Sequence, residues 1–286
     1  MNSTDNIDQL RKSLKLHRDA GKTIGLVPTM GNLHEGHLSL VQESCKHNDY
    51  TVVSIFINPM QFNPSEDLTT YPRTLDEDKE KLLSAGCDFL FIPTAHEIYP
   101  EELNSHTKVI VPGLSLMLCG KTRPGHFEGV TTIVIKLLHL VNPDIAYFGL
   151  KDYQQYLIVK KMTKDLEIDT QIVGLEIVRD TGGLALSSRN NSLSEIEIDK
   201  ARQLYRSLRK VARALNQREF KFSKLEKQAS REVHEAGLIL DYFAICNSET
   251  LEPATPKDSN FIVLAAAYIG TVRLIDNIRM VVPHSK

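Results

Sequence analysis

Residues 24–37 read Ile-Gly-Leu-Val-Pro-Thr-Met-Gly-Asn-Leu-His-Glu-Gly-His: a short apolar strand, Ile24 to Val27, that runs through a Gly-containing turn into a helix start. Such a junction aims free backbone N–H groups, the positive end of the helix dipole and two imidazoles at one point, and phosphate is the occupant that suits it. His34 and His37 are three apart and share a face if both lie in the first helical turn. Gly36 between them lets a ligand approach the backbone. Taken alone, the HxGH pattern also fits an ordinary strand-to-helix turn with surface histidines, so the rest of the chain has to decide.

Working outward, the pattern to about residue 175 alternates. A helix is expected over 6–20, strands near 23–28, 50–57, 88–92, 144–148 and 169–174, and helical stretches between them. Runs such as Thr51-Val52-Val53-Ser54-Ile55-Phe56-Ile57 are apolar on both faces, as strands of a parallel sheet covered by helices must be. This predicts an α/β fold, a Rossmann-like doubly wound parallel sheet. Ligands then sit beyond the carboxyl ends of the strands, where Met30, Asn58 and Gly149 fall. Tyr71-Pro72-Arg73 is expected to open a helix, so that Asp76, Glu77 and Asp78 suit its dipole before they suit a metal. Beyond Asn190 the rhythm changes. Ala201, Leu204, Leu208, Val211 and Leu215 follow helical spacing, a second helix is expected over 222–235, and strands near 239–246, 261–269 and 271–279 close the chain. The expectation is a domain of residues 1–177 and a smaller C-terminal α+β domain of residues 178–286.

The 286 residues, 42% hydrophobic, suffice for two domains, and a net charge of -2 gives no general affinity for nucleic acid or anionic membrane. Residues 199–233 hold eleven Lys or Arg against four Asp or Glu. No aromatic set interleaves with them, which favours a solvated helix surface over an RNA-binding face. Four cysteines without a CxxC pair predict reduced thiols and no zinc site, in keeping with a cytoplasmic protein. No signal-peptide pattern is expected at the N-terminus. The apolar stretches Val130 to Val141 and Phe261 to Ile269 are interrupted or too short to span a bilayer.

Further blocks occur in order: Phe56-Ile57-Asn58-Pro59-Met60-Gln61-Phe62, Tyr71-Pro72-Arg73, Arg123-Pro124-Gly125-His126-Phe127, Tyr147-Phe148-Gly149-Leu150-Lys151-Asp152-Tyr153-Gln154-Gln155 and Leu186-Ser187-Ser188-Arg189-Asn190. With the HxGH segment they resemble the pantothenate synthetase family over most of the chain. The resemblance implies ATP-dependent ligation of pantoate and β-alanine through a pantoyl adenylate, releasing AMP and pyrophosphate. It implies His34, His37 and Lys151 as catalytic residues. ATP would be bound by Met30, His34, His37, Gly149, Lys151, Asp152, Val178, Ser187, Ser188 and Arg189, and pantoate by Met30, Asn58, Gln61, Arg123 and Gln155. Mg2+ would be held mainly through ATP phosphates, with no protein metal ligand. A homodimer is also implied, as is a C-terminal domain that contributes the Ser-Ser-Arg phosphate loop and a lid.

The residue types fit that chemistry. Two hydroxyls and a permanently charged guanidinium at Ser187, Ser188 and Arg189 suit a triphosphate, although a Ser-rich linker would look similar. Lys151 follows a strand end, from which an ammonium can reach phosphate. Asp152 can accept from a ribose hydroxyl or cap the helix that starts near Tyr153. Arg123 and His126 can bind substrate or form the turn into a helix from Glu128 to Val141. Gln61 and Gln155 suit the polar side of a small hydroxy acid, with Met30, Pro28, Phe62 and Val134 for its apolar side. Leu150 departs from the pattern, which commonly has a polar residue there. Gly182 and Gly183 permit a hinge beside the Ser-Ser-Arg run. Two rival readings also fit the sequence: a nucleotidylyltransferase with a phosphate-bearing acceptor, and a non-catalytic nucleotide-binding module.

Overall fold

Strand β2 (Ile24–Thr29) forms the middle of a six-stranded parallel sheet in the computed structural model, which describes residues 1–62, 68 and 71–283. Its companions are β1 (Asn2–Thr4), β3 (Tyr50–Ile55), β4 (Phe89–Phe91), β5 (Ile145–Gly149) and β6 (Gln171–Leu175), in the order β1-β4-β3-β2-β5-β6. The helices between them are α1 (Ile7–Asp19), α2 (Glu35–His47), α3 (Leu75–Ser84), α4 (Ala95–Ile98), α5 (Leu118–Thr122), α6 (His126–Val141) and α7 (Tyr153–Asp165). All five strand pairings are parallel. The chain builds outward from β2 in one direction and from β5 in the other, so the switch point lies between them, and their carboxyl ends deliver Met30 and Gly149.

Local sequence explains why β2 and α2 pack closely. A Cβ at Gly25 would lie 2.1 Å from Ser44 Oγ, so only glycine lets the helix approach the strand there. Pro28 is tolerated because β5 pairs with β2 only at Gly25 and Leu26, upstream of the missing N–H. Strand β1 was not expected. It is a three-residue edge strand whose first two residues are exposed, so its Asn and Ser carry no apolar signal.

The chain divides into two compact units: Met1–Leu116, Arg123–Leu150 and Gln155–Glu176 form the first; Met117–Thr122, Lys151–Gln154 and Ile177–Lys286 form the second. Two short early segments thus cluster with the second unit, and long-range hydrogen bonds explain it. Tyr153 Oη donates to the Ser248 carbonyl (2.9 Å), Thr122 Oγ1 to Asp241 (3.2 Å) and Asn277 Nδ2 to the Lys151 carbonyl (3.1 Å). No periodicity in the sequence reports such ties.

The second unit contains α8 (Glu195–Asn216), α9 (Phe222–Glu235) and an antiparallel sheet β7-β8-β9 (Ile239–Asn247, Asn260–Ile269, Val272–Val281). Ser194 opens α8 in a reciprocal capping box with Glu197. Leu204, Leu208, Val211 and Leu215 bury their stripe with Phe261, Val263 and Val233, which makes this a small α+β domain. The paired glycines have a packing role: a Cβ at Gly182 would lie 1.9 Å from Arg202 Nε, and one at Gly183 2.4 Å from Tyr205 Cδ1. Gly183 also has φ +95°. Around them the backbone is tied, with Gly183 N donating to Asp180 O (3.0 Å), Leu184 N to Asp180 Oδ1 (2.7 Å) and Leu186 N to Val178 O (3.0 Å).

Candidate active site

The chain leaves β2 through a turn in which Gly31 and Asn32 both have positive φ, +81° and +50°. Glycine and asparagine are the residues that tolerate this at least cost. The turn is held from α3. Asp78, 1% exposed, accepts from the N–H groups of Asn32 (2.9 Å) and Leu33 (2.8 Å), and Lys81 Nζ donates to the Leu33 carbonyl (2.9 Å). Asp78 is a support that sequence reasoning missed. The only signal in the sequence is spacing: Asp78 stands four residues before Leu82 and so shares its helix face, which the structure buries.

His34 is the N-cap of α2, and its Nδ1 accepts from Gly36 N (3.1 Å); His37 Nδ1 accepts from His34 N (3.4 Å), completing a reciprocal cap. A Cβ at Gly36 would lie 2.9 Å from His34 Cε1, so the cap requires glycine there. An Nδ1 that accepts carries no proton. Both rings are therefore neutral Nε2–H tautomers in this arrangement, 4.1 Å apart between centroids, at a helix N-terminus. Two imidazole donors beside a positive dipole end can stabilise charge on phosphate oxygens.

A second network surrounds Gln61. Its Nε2 donates to Met30 Sδ (2.8 Å), its Oε1 accepts from Asn58 Nδ2 (3.1 Å), and its carbonyl accepts from His126 Nδ1 (2.8 Å). Arg123 Nη1 lies 2.9 Å from His126 Nε2, which accepts because Nδ1 carries the proton given to the Gln61 carbonyl. Asn58, expected as a pantoate contact, is 1% exposed and engaged on every side within the protein. Its Nδ2 also donates to the Gly129 carbonyl (3.0 Å), and its Oδ1 accepts from Tyr99 Oη (2.8 Å) and Met60 N (3.3 Å). Burial raises the Tyr99 pKa, so its phenol keeps the proton it donates. Gly129 lets α6 press on this turn, since a Cβ there would lie 2.4 Å from Met60 O.

A cleft of about 380 Å³ opens at the carboxyl ends of β2, β3 and β4, with Met30, Phe56, Ile57, Pro59 and Ile92 in its walls. Of the apolar residues expected beside pantoate, only Met30 lines it. Val134 is core, at 5% exposure, and Phe62 packs edge-on against Tyr71. Gln155 is half-buried at the start of α7, whereas Gln154 is 4% exposed, accepting from Cys119 N and donating to the Met117 carbonyl. Leu150 is also buried, and its Cδ2 packs where a Cβ on Gly174 would stand, 2.5 Å away. An apolar residue at this departure from the pattern is thus a packing residue.

In the second unit, Lys151 and Ser187 line one narrow crevice with Asp276. Ser187 caps the turn Ser188–Ser192, its Oγ accepting from Arg189 N (3.3 Å), and Asn190 Nδ2 donates to the Ala185 carbonyl (3.0 Å). Ser188 is buried, Arg189 and Val178 are half-buried, and Asp152 is exposed. Among the described residues no three of His, Cys, Asp and Glu converge in metal-binding fashion, and no helix is long and apolar enough to cross a membrane.

A switch-point strand that ends on an HxGH helix start, with a small α+β unit after it, puts the chain among the Rossmann-like α/β enzymes. Within that class the comparisons are specific. The family model described as Pantoate-beta-alanine ligase matches residues 2–279, and the chain belongs to that family. It is 51% identical over 278 residues to a pantothenate synthetase of Marinobacter nauticus, covering 97% of this chain and 99% of the relative. It is 50% identical over 272 residues to that of Hahella chejuensis, covering 95% and 96%. Pantothenate synthetase from Thermus thermophilus superposes with a TM-score of 0.91 at 39% identity, over 97% of this chain and 99% of that one. A pantoate-beta-alanine ligase from Francisella tularensis, solved with beta-gamma ATP and beta-alanine, gives 0.79 at 36% identity over 97% of each chain. The protein is thus an enzyme, a ligase of pantothenate formation.

Proposed function

We propose that the enzyme condenses pantoate with β-alanine at the expense of ATP in two steps. In the first, a pantoate carboxylate oxygen attacks the α-phosphorus, the bond to the bridging oxygen breaks, and pyrophosphate leaves with its electron pair. In the second, the β-alanine amine attacks the acyl carbon of the pantoyl adenylate, AMP leaves, and the ammonium formed loses a proton. No protein nucleophile is needed, so catalysis consists of positioning and charge stabilisation.

The observation that carries this reading is the reciprocal cap at His34 and His37, which supplies two fixed Nε2–H donors at a helix N-terminus in a chain of this family. His34 and His37 act on the α- and β-phosphate oxygens, with Met30 and Gly149 beside the nucleotide. Lys151, Ser187, Ser188 and Arg189 serve the same step as cation and hydroxyl donors to the triphosphate, and Asp152 and Val178 serve the nucleoside. Magnesium would be held through the phosphate oxygens of ATP and would lower their charge. Gln61 and Gln155 receive pantoate, Asn58 and the Arg123–His126 pair hold Gln61 in place, and Met30 supplies an apolar contact. The beta-gamma ATP and beta-alanine of the Francisella complex support ATP and β-alanine as substrates here. A homodimer, a cytoplasmic setting and a nucleotide-induced closing of the 183–191 segment belong to the same proposal.

The test is exchange of labelled pyrophosphate into ATP. It should require pantoate and not β-alanine, and full turnover should yield AMP. Exchange driven by a phosphate-bearing acceptor would establish the nucleotidylyltransferase reading, and ADP as product would mean acyl-phosphate chemistry.

A further inference from the structure

Strand β9 buries two adjacent polar residues, Asp276 at 5% exposure and Asn277 at 4%. An acid and an amide persist in such a place only when partnered. Arg179 takes Asp276 with both prongs of its guanidinium, Nη1 to Oδ2 at 2.6 Å and Nη2 to Oδ1 at 2.7 Å. The same group donates to the carbonyls of Gly183 (3.1 Å) and Asn277 (3.3 Å), and its carbon lies 3.7 Å from the Tyr205 ring centroid. Asn277 N donates to Asp276 Oδ1 (2.7 Å), and Asn277 Nδ2 donates to the main-chain carbonyl of Lys151 (3.1 Å). One arginine therefore fixes both the turn that leads to Ser187–Arg189 and the strand that grips the backbone beneath Lys151.

We propose that Asn277, held by the Arg179–Asp276 pair, is a positioning residue for Lys151. The inference rests on the reading of Lys151 as a phosphate-binding cation and deepens it. A lysine ammonium sits on a flexible four-carbon stem and has no planar fork to orient it, so its placement depends on how firmly its own backbone is held. Asn277 supplies that hold from a neighbouring strand. The bidentate pair sets the position of Asn277 and leaves Arg179 matched by Asp276 within the protein. Lys151, Ser187 and Asp276 share one crevice, so a shift of β9 would move the lysine relative to the hydroxyl turn.

The experiment uses the full chain with ATP, pantoate and pyrophosphate. Asn277→Ala should lower the exchange kcat by about tenfold or more while the KM for pantoate stays within about twofold, because a displaced group costs the chemical step more than the binding of a remote substrate. Val233→Ala, a core truncation in the same unit that does not line the crevice, should lower Tm and leave kcat at the parental value. Arg179→Lys keeps the charge, loses one prong, and should lower kcat in the same direction; it decides the matter if Asn277→Ala does not fold. Lys151→Ala separates the two readings. A parental rate in Lys151→Ala would remove the phosphate role of the lysine itself. An inactive Lys151→Ala beside a parental kcat in both Asn277→Ala and Arg179→Lys would overturn the positioning role alone. A Val233→Ala variant that loses kcat in step with Tm would also overturn it.

Discussion

Replacing Asp78 by asparagine keeps the side-chain shape and removes one of two oxygens on which the 31–33 turn depends. In the parent, the two oxygens accept from Leu33 N at 2.8 Å and Asn32 N at 2.9 Å in a site 1% exposed. Asparagine offers one oxygen and turns an NH2 group toward the other N–H, so one charge-assisted bond is lost and a donor faces a donor. Hydrogen bonds to charged groups contribute about 1.5–3 kcal/mol each, and relief from burying the carboxylate offsets part of the loss. The expected net destabilisation is about 2–3 kcal/mol, or roughly 4–12 °C in Tm at about 2–4 °C per kcal/mol. The turn does not detach, because Lys81 still donates to the Leu33 carbonyl. It changes register, and His34 begins at its next residue. A displacement of about 1 Å at His34 and His37 would cost about 10²-fold in adenylate formation. Thermal denaturation and single-turnover formation of the adenylate measure the two effects. An Asp78→Asn enzyme with Tm within about 1 °C of the parent and an unchanged single-turnover rate would refute the argument that this carboxylate places the histidines.

His37→Ala and Lys151→Ala should each lose on the order of 10²-fold in adenylate formation with Tm little changed, and a parental single-turnover rate in either would remove its assigned role. Gln155→Ala should weaken pantoate more than ATP, as read by equilibrium binding of each; equal losses would misplace the residue. Gly129→Ala forces a Cβ to within 2.4 Å of the Met60 carbonyl and should cost about 1–3 kcal/mol while raising the KM for pantoate, with ATP binding unchanged as the control. Hydrogen exchange at 183–191 should show Gly183, Leu184 and Leu186 protected without ligand, through the bonds they already make, and added protection with magnesium and a non-hydrolysable ATP analogue confined to 187–190. Arg189→Ala should abolish that addition, and equal protection with and without nucleotide would mean that nothing closes.

Much of the architecture was legible because parallel strands buried on both faces and amphipathic helices leave strong patterns. β3 is buried at all six positions, and the apolar positions from Ala201 to Leu215 lie on one stripe. β1 was not legible, since a short exposed edge strand needs no apolar residue. The assignment of Lys151–Gln154 and Met117–Thr122 to the second unit was not legible either. It depends on hydrogen bonds across 95 to 126 positions of the chain, such as those of Tyr153 and Asn277, and these carry no local signature.

The candidate site divides along the same physical line. His34 and His37 could be picked out because their spacing, the glycine between them and the preceding strand are all local, and the cap that fixes their tautomers lies within four residues. Asn58 was identified as important from its neighbours in sequence, but its work within the protein is long-range. Besides Gln61 nearby, it joins Tyr99 and Gly129, 41 and 71 positions away. Asp78, Asn277 and Arg179 belong to the same kind. Asp78 and Asn277 lie in a helix and a strand that could be read and Arg179 in a connection between elements, while their partners lie 45, 126 and 97 positions away. A group that meets substrate often sits in a compact motif, because a tight turn is what brings backbone and side chain to one point. The groups that hold that turn steady come from whichever element the fold packs against it. For this enzyme, substitutions outside the quoted motifs should therefore slow the chemistry wherever they loosen α3 against the 31–33 turn or β9 against Lys151, and should act mainly on stability elsewhere.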